Sequence, residues 1–138
     1  MDVSQVMTSN PEHLPPTASI REAADMMKGM DVGSVPIVSQ DQLIGIVTDR
    51  DIVVRGVAGG LTSQAQLSEI MSHDVHSVSP TDDVKRAFKL MEKNQIRRLP
   101  VVDESGGLTG IVSLGDLATR TKETGKSGEA LEDISSRK

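Results

Sequence analysis

Two short motifs in the chain place a hydroxyl side chain three positions before a carboxylate, directly after an apolar Gly-Ile-Val segment. They are Thr48 with Asp51 and Ser113 with Asp116. This spacing is typical of a helix start, where unpaired backbone N–H groups and the helix dipole favour an anion. A carboxylate there can accept two hydrogen bonds from the cis-diol of a ribose, each contributing roughly 1.5–3 kcal/mol. The spacing also fits a simple N-terminal cap, which is the favoured interpretation on the motif alone, and a capped helix start can still face a cleft.

Both motifs belong to an internal repeat that covers most of the chain. Residues 3–55 reappear at 67–120, at an offset of 64 positions that becomes 65 after one residue is inserted in the second copy. The identical pairs are Ser4/Ser68, Met7/Met71, Pro16/Pro80, Thr17/Thr81, Ala23/Ala87, Met27/Met91, Pro36/Pro100, Val38/Val102, Leu43/Leu108, Gly45/Gly110, Ile46/Ile111, Val47/Val112, Asp51/Asp116 and Arg55/Arg120. Such a repeat indicates one structural unit used twice, so we expect a pseudo-twofold pair with any ligand site duplicated or placed at the seam.

The elements around the motifs follow the same order in both copies. An extended segment is followed by an amphipathic helix, a hairpin of two strands, and a second helix that opens at Thr48 or Ser113. In the first copy, Ser19 and Glu22 have the spacing of a capping box. The predicted helix faces are Ile20, Ala23, Ala24, Met27 and Met30 in one copy and Val84, Ala87, Phe88 and Met91 in the other. The fold class is therefore α/β, with two strand–helix–strand–strand–helix repeats, and the Met and Ala faces form core or a helix-to-helix dimer interface.

The predicted domain organisation follows the repeat. Its parts are repeat 1 at 3–55, a linker at 56–66, repeat 2 at 67–120, and a flexible tail at 121–138 with at most a short docked turn at 129–134. A half of roughly 50 residues buries little surface alone, so the two halves are expected to depend on each other.

The composition excludes several classes of function. The 138 residues have a net charge of −5, no cysteine, and Phe88 as the single aromatic residue. The acidic balance and the lack of aromatic rings disfavour nucleic-acid binding, and the absence of cysteine excludes disulfides and thiol chemistry. No stretch approaches the roughly 20 apolar residues that span a bilayer, and no basic segment precedes an apolar one at the N-terminus. We therefore expect a cytoplasmic protein without a signal peptide or membrane association.

The histidines and remaining acidic residues give no sign of catalysis. His73-x-x-His76 has a spacing that invites a metal, but no acidic or thiol cluster accompanies it, so surface histidines and no metal site are predicted. Asp82 and Asp83 are better placed to begin a helix than to act as an acid–base pair. No nucleophile and base can be assembled from the residues present, so we expect no enzymatic activity.

The two copies together resemble the cystathionine-β-synthase (CBS) domain. The resemblance rests on a lead-in that ends in Met-Thr or Met-Ser, the Arg-Arg-Leu-Pro-Val-Val-Asp run at 97–103, and the Gly-Ile-Val-Thr-x-x-Asp block, and it covers residues 3–120. The run at 49–56 and the tail at 129–135 also resemble small stand-alone bacterial CBS-pair proteins. The resemblance implies a pseudo-symmetric pair (a Bateman module), commonly dimerised into a flat disc, whose cleft binds adenosine nucleotides or related adenosyl ligands.

The resemblance also implies site residues. Asp51 and Asp116 match the ribose-binding aspartates of the family, with Thr48 and Ser113 as nearby hydroxyl contacts. In the family each site takes its other wall from the opposite repeat. Asp51 is accordingly expected to face Ser72, Val75 and Ser77, with Arg97 and Arg98 reaching phosphates. Asp116 is expected to face Thr8, Pro11 and His13, with Gly33 and Ser34 at the positions that match the two arginines.

This difference predicts unequal sites. Two guanidiniums can make bidentate phosphate contacts, which a glycine and a serine cannot. On this basis the Asp51 cleft is expected to prefer a charged mono- or polyphosphate, and the Asp116 cleft to be weaker, to take a less charged ligand or to stay empty. A solvated strand start or a surface ion pair is the alternative role for Arg97 and Arg98.

The resulting hypothesis is a non-catalytic regulatory module. It would bind AMP, ADP, ATP or a related adenosyl ligand in the inter-repeat cleft, require no cofactor, form a homodimer, and signal to a separate, unknown protein partner by a change in the angle between its halves. The alternative is a scaffold protein with vestigial clefts that acts through dimer assembly.

Overall fold

The computed structural model describes residues 1–120, which form two compact units. The first unit is Glu12–Val75, and the second consists of Met1–Pro11 with the described residues from His76 onward. The units therefore do not coincide with the sequence repeats, because the beginning of each repeat belongs to the unit that holds the hairpin of the other repeat. The predicted flexible tail and its short turn lie outside the described residues.

The first unit packs one helix against a hairpin. Helix α1 spans Ile20–Met30, and strands β2 (Ser34–Ser39) and β3 (Gln42–Thr48) pair antiparallel. One half of the predicted capping box of α1 is present, since the Ser19 hydroxyl accepts the N–H of Glu22 at 3.1 Å, whereas within the described residues the Glu22 side chain makes no return bond to the N–H of Ser19. The buried core of this unit consists of Ala18, Ile20, Ala23, Met27, Val35, Ile37, Val47, Leu67, Ile70 and Met71.

The helix after β3 is irregular. The chain passes from helix α2 (Asp49–Asp51) into a π-helix at Ile52–Val57.

Met30, predicted on the apolar face of α1, is 46% exposed because it lies at the C-terminal end of the helix, where the chain turns away at the left-handed Asp31.

The second unit also packs a helix against a hairpin, and its core contains Phe88. Helix α3 spans Val84–Asn94 and is capped by Asp83, which confirms the predicted helix start. Strands β4 (Arg98–Val102) and β5 (Leu108–Ser113) form the hairpin, and helix α4 (Leu114–Arg120) follows. The core of this unit consists of Val3, Val6, Val78, Val84, Ala87, Phe88, Met91, Leu99, Val101, Val112, Leu114 and Leu117.

Each hairpin is extended by the lead-in of the other repeat. In the second unit, strand β1 (Thr8–Ser9) pairs antiparallel with β5, with Thr8 opposite Ile111. In the first unit, Ser72 takes the equivalent place opposite Ile46 and exchanges two backbone hydrogen bonds with it at 2.9 and 3.0 Å. The lead-in of one repeat thus completes the sheet beside the aspartate motif of the other.

The repeated Met and Gly residues have a shared steric role at this junction. A Cβ on Gly45 would lie 2.9 Å from the Ser72 carbonyl oxygen and 3.1 Å from the Met71 sulfur. A Cβ on Gly110 would lie 2.5 Å from the Met7 sulfur. At both positions the methionine side chain and the next backbone carbonyl of the lead-in pack against the glycine, so an added Cβ would displace them.

The predicted extended segments contribute little to either sheet. Leu14 forms a single parallel bridge with Ile37, and Val78 forms one with Val101. In the first of these segments Pro15 and Pro16 follow Leu14 directly and have no N–H to donate to a longer ladder. Within residues 1–120, no helix has the length and apolar character needed to cross a membrane.

Candidate functional site

The motif around Asp51 forms a closed capping box at the start of α2. The backbone N–H of Thr48 donates to Oδ2 of Asp51 at 3.0 Å, and the N–H of Asp51 donates to Oγ1 of Thr48 at 3.1 Å. Asp51 is 8% exposed. The predicted cap is therefore present, and it fixes the orientation of a nearly buried carboxylate.

The second oxygen of this carboxylate faces an arginine. Nε of Arg55 lies 3.9 Å from Oδ1 of Asp51, and Nη1 of Arg55 donates to the carbonyl oxygen of Ile70 at 3.3 Å. Arg55 thus links the aspartate to the lead-in of the second repeat. Each carboxylate oxygen retains a lone pair after these contacts, so capping leaves acceptor capacity for a diol.

The motif around Asp116 has the same geometry in the second unit. The N–H of Ser113 donates to Oδ2 of Asp116 at 3.3 Å, and the N–H of Asp116 donates to Oγ of Ser113 at 3.0 Å. Asp116 is half-buried. Both copies therefore place a carboxylate in the first helical turn after the second hairpin strand, held by one hydroxyl and one backbone N–H.

Of the residues predicted to surround Asp51, the first unit contains two. Ser72 lies at the sheet edge opposite Ile46, two residues before Thr48, and Val75 is half-buried in the same unit. Ser77, Arg97 and Arg98 belong to the second unit. Their predicted approach to Asp51 stays a prediction.

Of the residues predicted to surround Asp116, the second unit contains Thr8 and Pro11. Thr8 pairs with Ile111, two residues before Ser113. His13, Gly33 and Ser34 belong to the first unit, so their predicted approach to Asp116 also stays a prediction.

The local neighbours of the two motifs differ in charge. In the second unit, Arg98 lies directly opposite Ser113, and the carbonyl oxygen of Arg97 accepts the N–H of Leu114 at 2.7 Å. The two guanidinium-bearing residues therefore flank the helix start that carries Asp116.

In the first unit, the same backbone positions carry Gly33 and Ser34. Ser34 lies opposite Thr48, and the carbonyl oxygen of Gly33 accepts the N–H of Asp49 at 2.9 Å. The two units therefore share one backbone arrangement but differ in the side chains placed around it.

Asp49 is a residue that the sequence analysis missed. Its Oδ2 lies 3.2 Å from where a Cβ on Gly33 would be, and its Oδ1 accepts the N–H of Arg50 at 2.8 Å. The aligned residue of the second repeat is Leu114. This exchange of an acid for an apolar residue was visible in the alignment of the copies, but only the structure shows that it faces the position of the missing arginine side chain.

The two histidines with the spacing that suggested a metal belong to different units. His73 and His76 are both exposed, and they fall in different units. Across residues 1–120, no three or more His, Cys, Asp or Glu side chains are grouped so that they could hold a metal ion.

Comparisons with known proteins agree with this architecture. The family model described as the CBS domain matches residues 3–56 and 67–123. The CBS domain-containing protein YhcV of Bacillus subtilis is 43% identical over 133 residues, which cover 96% of this chain and 94% of that protein.

Two solved structures share the fold. Hypoxic Response Protein I, crystallised with two coordinated zinc ions, superposes with a TM-score of 0.80 at 31% identity, over 88% of this chain and 99% of that one. The CBS domain pair of protein MJ0100, solved in complex with 5′-methylthioadenosine and S-adenosyl-L-methionine, superposes with a TM-score of 0.75 at 27% identity, over 86% and 93% of the two chains.

Proposed function

Because this chain belongs to the CBS-domain family, we propose that it is a regulatory module that binds an adenine nucleotide or a related adenosyl ligand. CBS-pair proteins are generally regulatory, non-catalytic modules. The pair from MJ0100, at 27% identity, carries adenosyl ligands in its solved structure. The ligand class proposed here follows from that relationship together with the two aspartate motifs.

The observation that carries the proposal is the matched pair of capped carboxylates. Asp51 and Asp116 are both fixed by a hydroxyl and a backbone N–H three residues earlier. A cap needs only one carboxylate oxygen, so the other lone pairs can accept the two hydroxyl groups of a ribose. Charge-assisted bonds of this kind contribute roughly 1.5–3 kcal/mol each.

The proposed contacts beyond the ribose come from neighbouring residues. Thr48 and Ser113 would supply hydroxyl contacts beside their aspartates, and Ser72 and Thr8 would line the adjacent sheet edges. Arg97 and Arg98, which belong to the second unit, are the proposed contacts for a phosphate where the ligand carries one, since a planar guanidinium binds a phosphate in a bidentate manner. The remaining proposed wall residues are Pro11, His13, Ser34, Val75 and Ser77.

The proposed regulation is a shift between conformations. A ligand can move such an equilibrium only by its difference in affinity for the two states. The output would pass to a separate protein, and a homodimer is the proposed assembly.

Thermal unfolding with and without ligand tests the proposal. AMP, ATP, adenosine and 5′-methylthioadenosine would be added to the wild type, to Asp51→Asn and to Asp116→Asn. A ligand at about 100 times its dissociation constant stabilises the folded state by about 2.7 kcal/mol, so at least one ligand should raise the wild-type Tm, and one variant should lose that rise.

A matched control separates ligand binding from charge. Asp41→Asn removes an acid from the exposed turn of the first hairpin, at a left-handed position that Asn adopts readily. It should retain the full ligand-induced rise. If none of the four ligands raises the wild-type Tm, the proposal fails.

A scaffold function is the second candidate, and the π-helix is the observation that favours it. Val53, Val54 and Val57 are 59%, 48% and 72% exposed. Apolar side chains at such exposure are suited to contact a partner. A wild type without any ligand response, but with a dimer in sedimentation analysis that Val54→Asp weakens, would favour the scaffold function.

A further inference from the structure

The first turn after β3 differs from the first turn after β5 in a way that bears on ligand charge. Asp49 occupies the first helical position after Thr48, whereas Leu114 occupies the first helical position after Ser113. Asp49 is exposed, and its carboxylate lies beside Gly33, which has no side chain to cover or neutralise it. Leu114 is buried and uncharged, and it lies beside Arg97.

The backbone donors of the first turn are also occupied in the first unit. The N–H of Asp49 donates to the carbonyl of Gly33 at 2.9 Å, and the N–H of Arg50 donates to Oδ1 of Asp49 at 2.8 Å. The N–H of Asp51 donates to Oγ1 of Thr48 at 3.1 Å. A phosphate near this turn would therefore meet a carboxylate and no vacant first-turn N–H group.

The cations of the same segment do not cancel this carboxylate. Arg55 is engaged with Asp51 and with the carbonyl of Ile70. Arg50 is exposed, as Asp49 is, and no ion pair joins the two side chains in the part of the chain that the structure describes. The carboxylate of Asp49 is thus not paired with a cation within the described residues of this unit.

We propose that Asp49 is a specificity-determining residue that disfavours phosphorylated ligands at the Asp51 site, which then takes a neutral or cationic adenosyl compound. The inference rests on the proposed function, because it assumes that Asp51 holds a ribose. It opposes the expectation from the sequence that the Asp51 cleft prefers a charged phosphate through Arg97. One carboxylate about 7 Å from a phosphate in water costs about threefold in affinity for each phosphate charge.

The test compares two ligands that differ only by a phosphate. The full-length Asp116→Asn chain isolates the Asp51 site, and isothermal titration calorimetry measures its affinity for adenosine and for AMP. The same pair is measured after a second substitution, Asp49→Asn. The ratio of AMP affinity to adenosine affinity should rise about threefold to tenfold with Asp49→Asn.

Two further variants make the result decisive. Asp49→Leu copies the second repeat and should raise the ratio in the same direction, which covers a failure of Asp49→Asn to fold. Asp31→Asn removes an exposed acid of the first unit at the left-handed end of α1 and should leave the ratio unchanged.

The outcomes distinguish the inference from the proposed function. If adenosine binds but the ratio stays constant in both Asp49 variants, the inference is overturned and the proposed function stands. If AMP binds the parent chain more tightly than adenosine and Arg97→Ala removes that preference, the inference is overturned in favour of the phosphate assignment drawn from the sequence. If neither ligand binds any of these chains or the wild type, the inference is overturned, and the proposed function fails with it if ATP and 5′-methylthioadenosine also leave the wild-type Tm unchanged.

Discussion

The two helix starts are nearly equal in backbone structure and unequal in charge. Both hold an aspartate through the same pair of hydrogen bonds, and both are flanked by a lead-in strand at the hairpin edge. Beside these helix starts the first unit has Gly33 in contact with Asp49, and the second unit has Arg97 in contact with Leu114. The comparison teaches that the duplicated parts build the frame, and we propose that ligand preference is set by residues that the copies do not share.

The largest expected effect concerns the cores of the two units. Phe88 is 2% exposed in the second unit, whereas the aligned residue of the first unit is Ala24. Phe88→Ala leaves a large cavity, so the free energy of unfolding should fall by about 3–5 kcal/mol. Urea denaturation followed by circular dichroism measures it.

Met30→Ala serves as the control for this truncation, because Met30 is 46% exposed. It should cost less than about 1 kcal/mol. Equal losses in the two variants would show that the second core does not depend on its single aromatic residue.

The next effect concerns the contact between strand and lead-in that both units share. Gly45→Ala places a Cβ 2.9 Å from the carbonyl oxygen of Ser72, so the backbone must shift. The free energy of unfolding should fall by about 1–3 kcal/mol in a denaturant titration.

Substitution of a second glycine, Gly29, should have the opposite effect on stability. Gly29 lies inside α1 with no atom within 4 Å of an added Cβ, so Gly29→Ala should stabilise the protein by about 0.5–1 kcal/mol. A neutral or stabilising Gly45→Ala would refute the packing role assigned to the Met and Gly pairs.

Removal of either helix cap should lower the stability of the protein by a similar amount. Thr48→Ala and Ser113→Ala each delete the hydroxyl that accepts the N–H of the following aspartate. Each variant should lose about 1 kcal/mol of stability. Because each hydroxyl also holds the residue whose carboxylate is proposed to bind a ribose, calorimetry should show weaker adenosyl binding, and a cap variant with wild-type binding would separate the two roles.

The smallest expected effect concerns Asp103, in the turn of the second hairpin. Hydrogen bonds from the hydroxyl of Ser105 and the N–H of Gly107 lower the pKa of Asp103 from its ordinary value of 3.8. A lowered folded-state pKa gives stability that is fully present above the unfolded-state value and is lost as the pH falls through the folded-state value.

Asp103→Asn should therefore be less stable than the wild type at neutral pH, and the difference should shrink in the acid range below pH 3.8. Denaturant titrations across this range measure it. Asp41→Asn, in the first hairpin, is the matched control, and a difference between wild type and Asp103→Asn that does not change with pH would contradict the assignment.

The sequence predicted the fold class and the family resemblance, since the copies repeat their capping residues and apolar spacing. The caps at Ser19, Thr48 and Asp83 were predicted because capping depends on residues a few positions apart. The pairing of each lead-in with the hairpin of the other repeat could not be predicted, because it joins residues that are far apart in the sequence. The recurring Met7/Met71 and Gly45/Gly110 pairs were the sequence features that reflect this contact. The proposed role of Asp49 was missed because it depends on which side chain lies beside Gly33.

Native mass spectrometry of the full chain titrated with 5′-methylthioadenosine and with AMP tests the central claim most directly. The proposal predicts adducts of at least one of these ligands, at no more than two per chain, that disappear in the Asp51→Asn, Asp116→Asn double variant while the protein stays folded. No adduct of either ligand on the wild type, or the same adducts on the double variant, would contradict it.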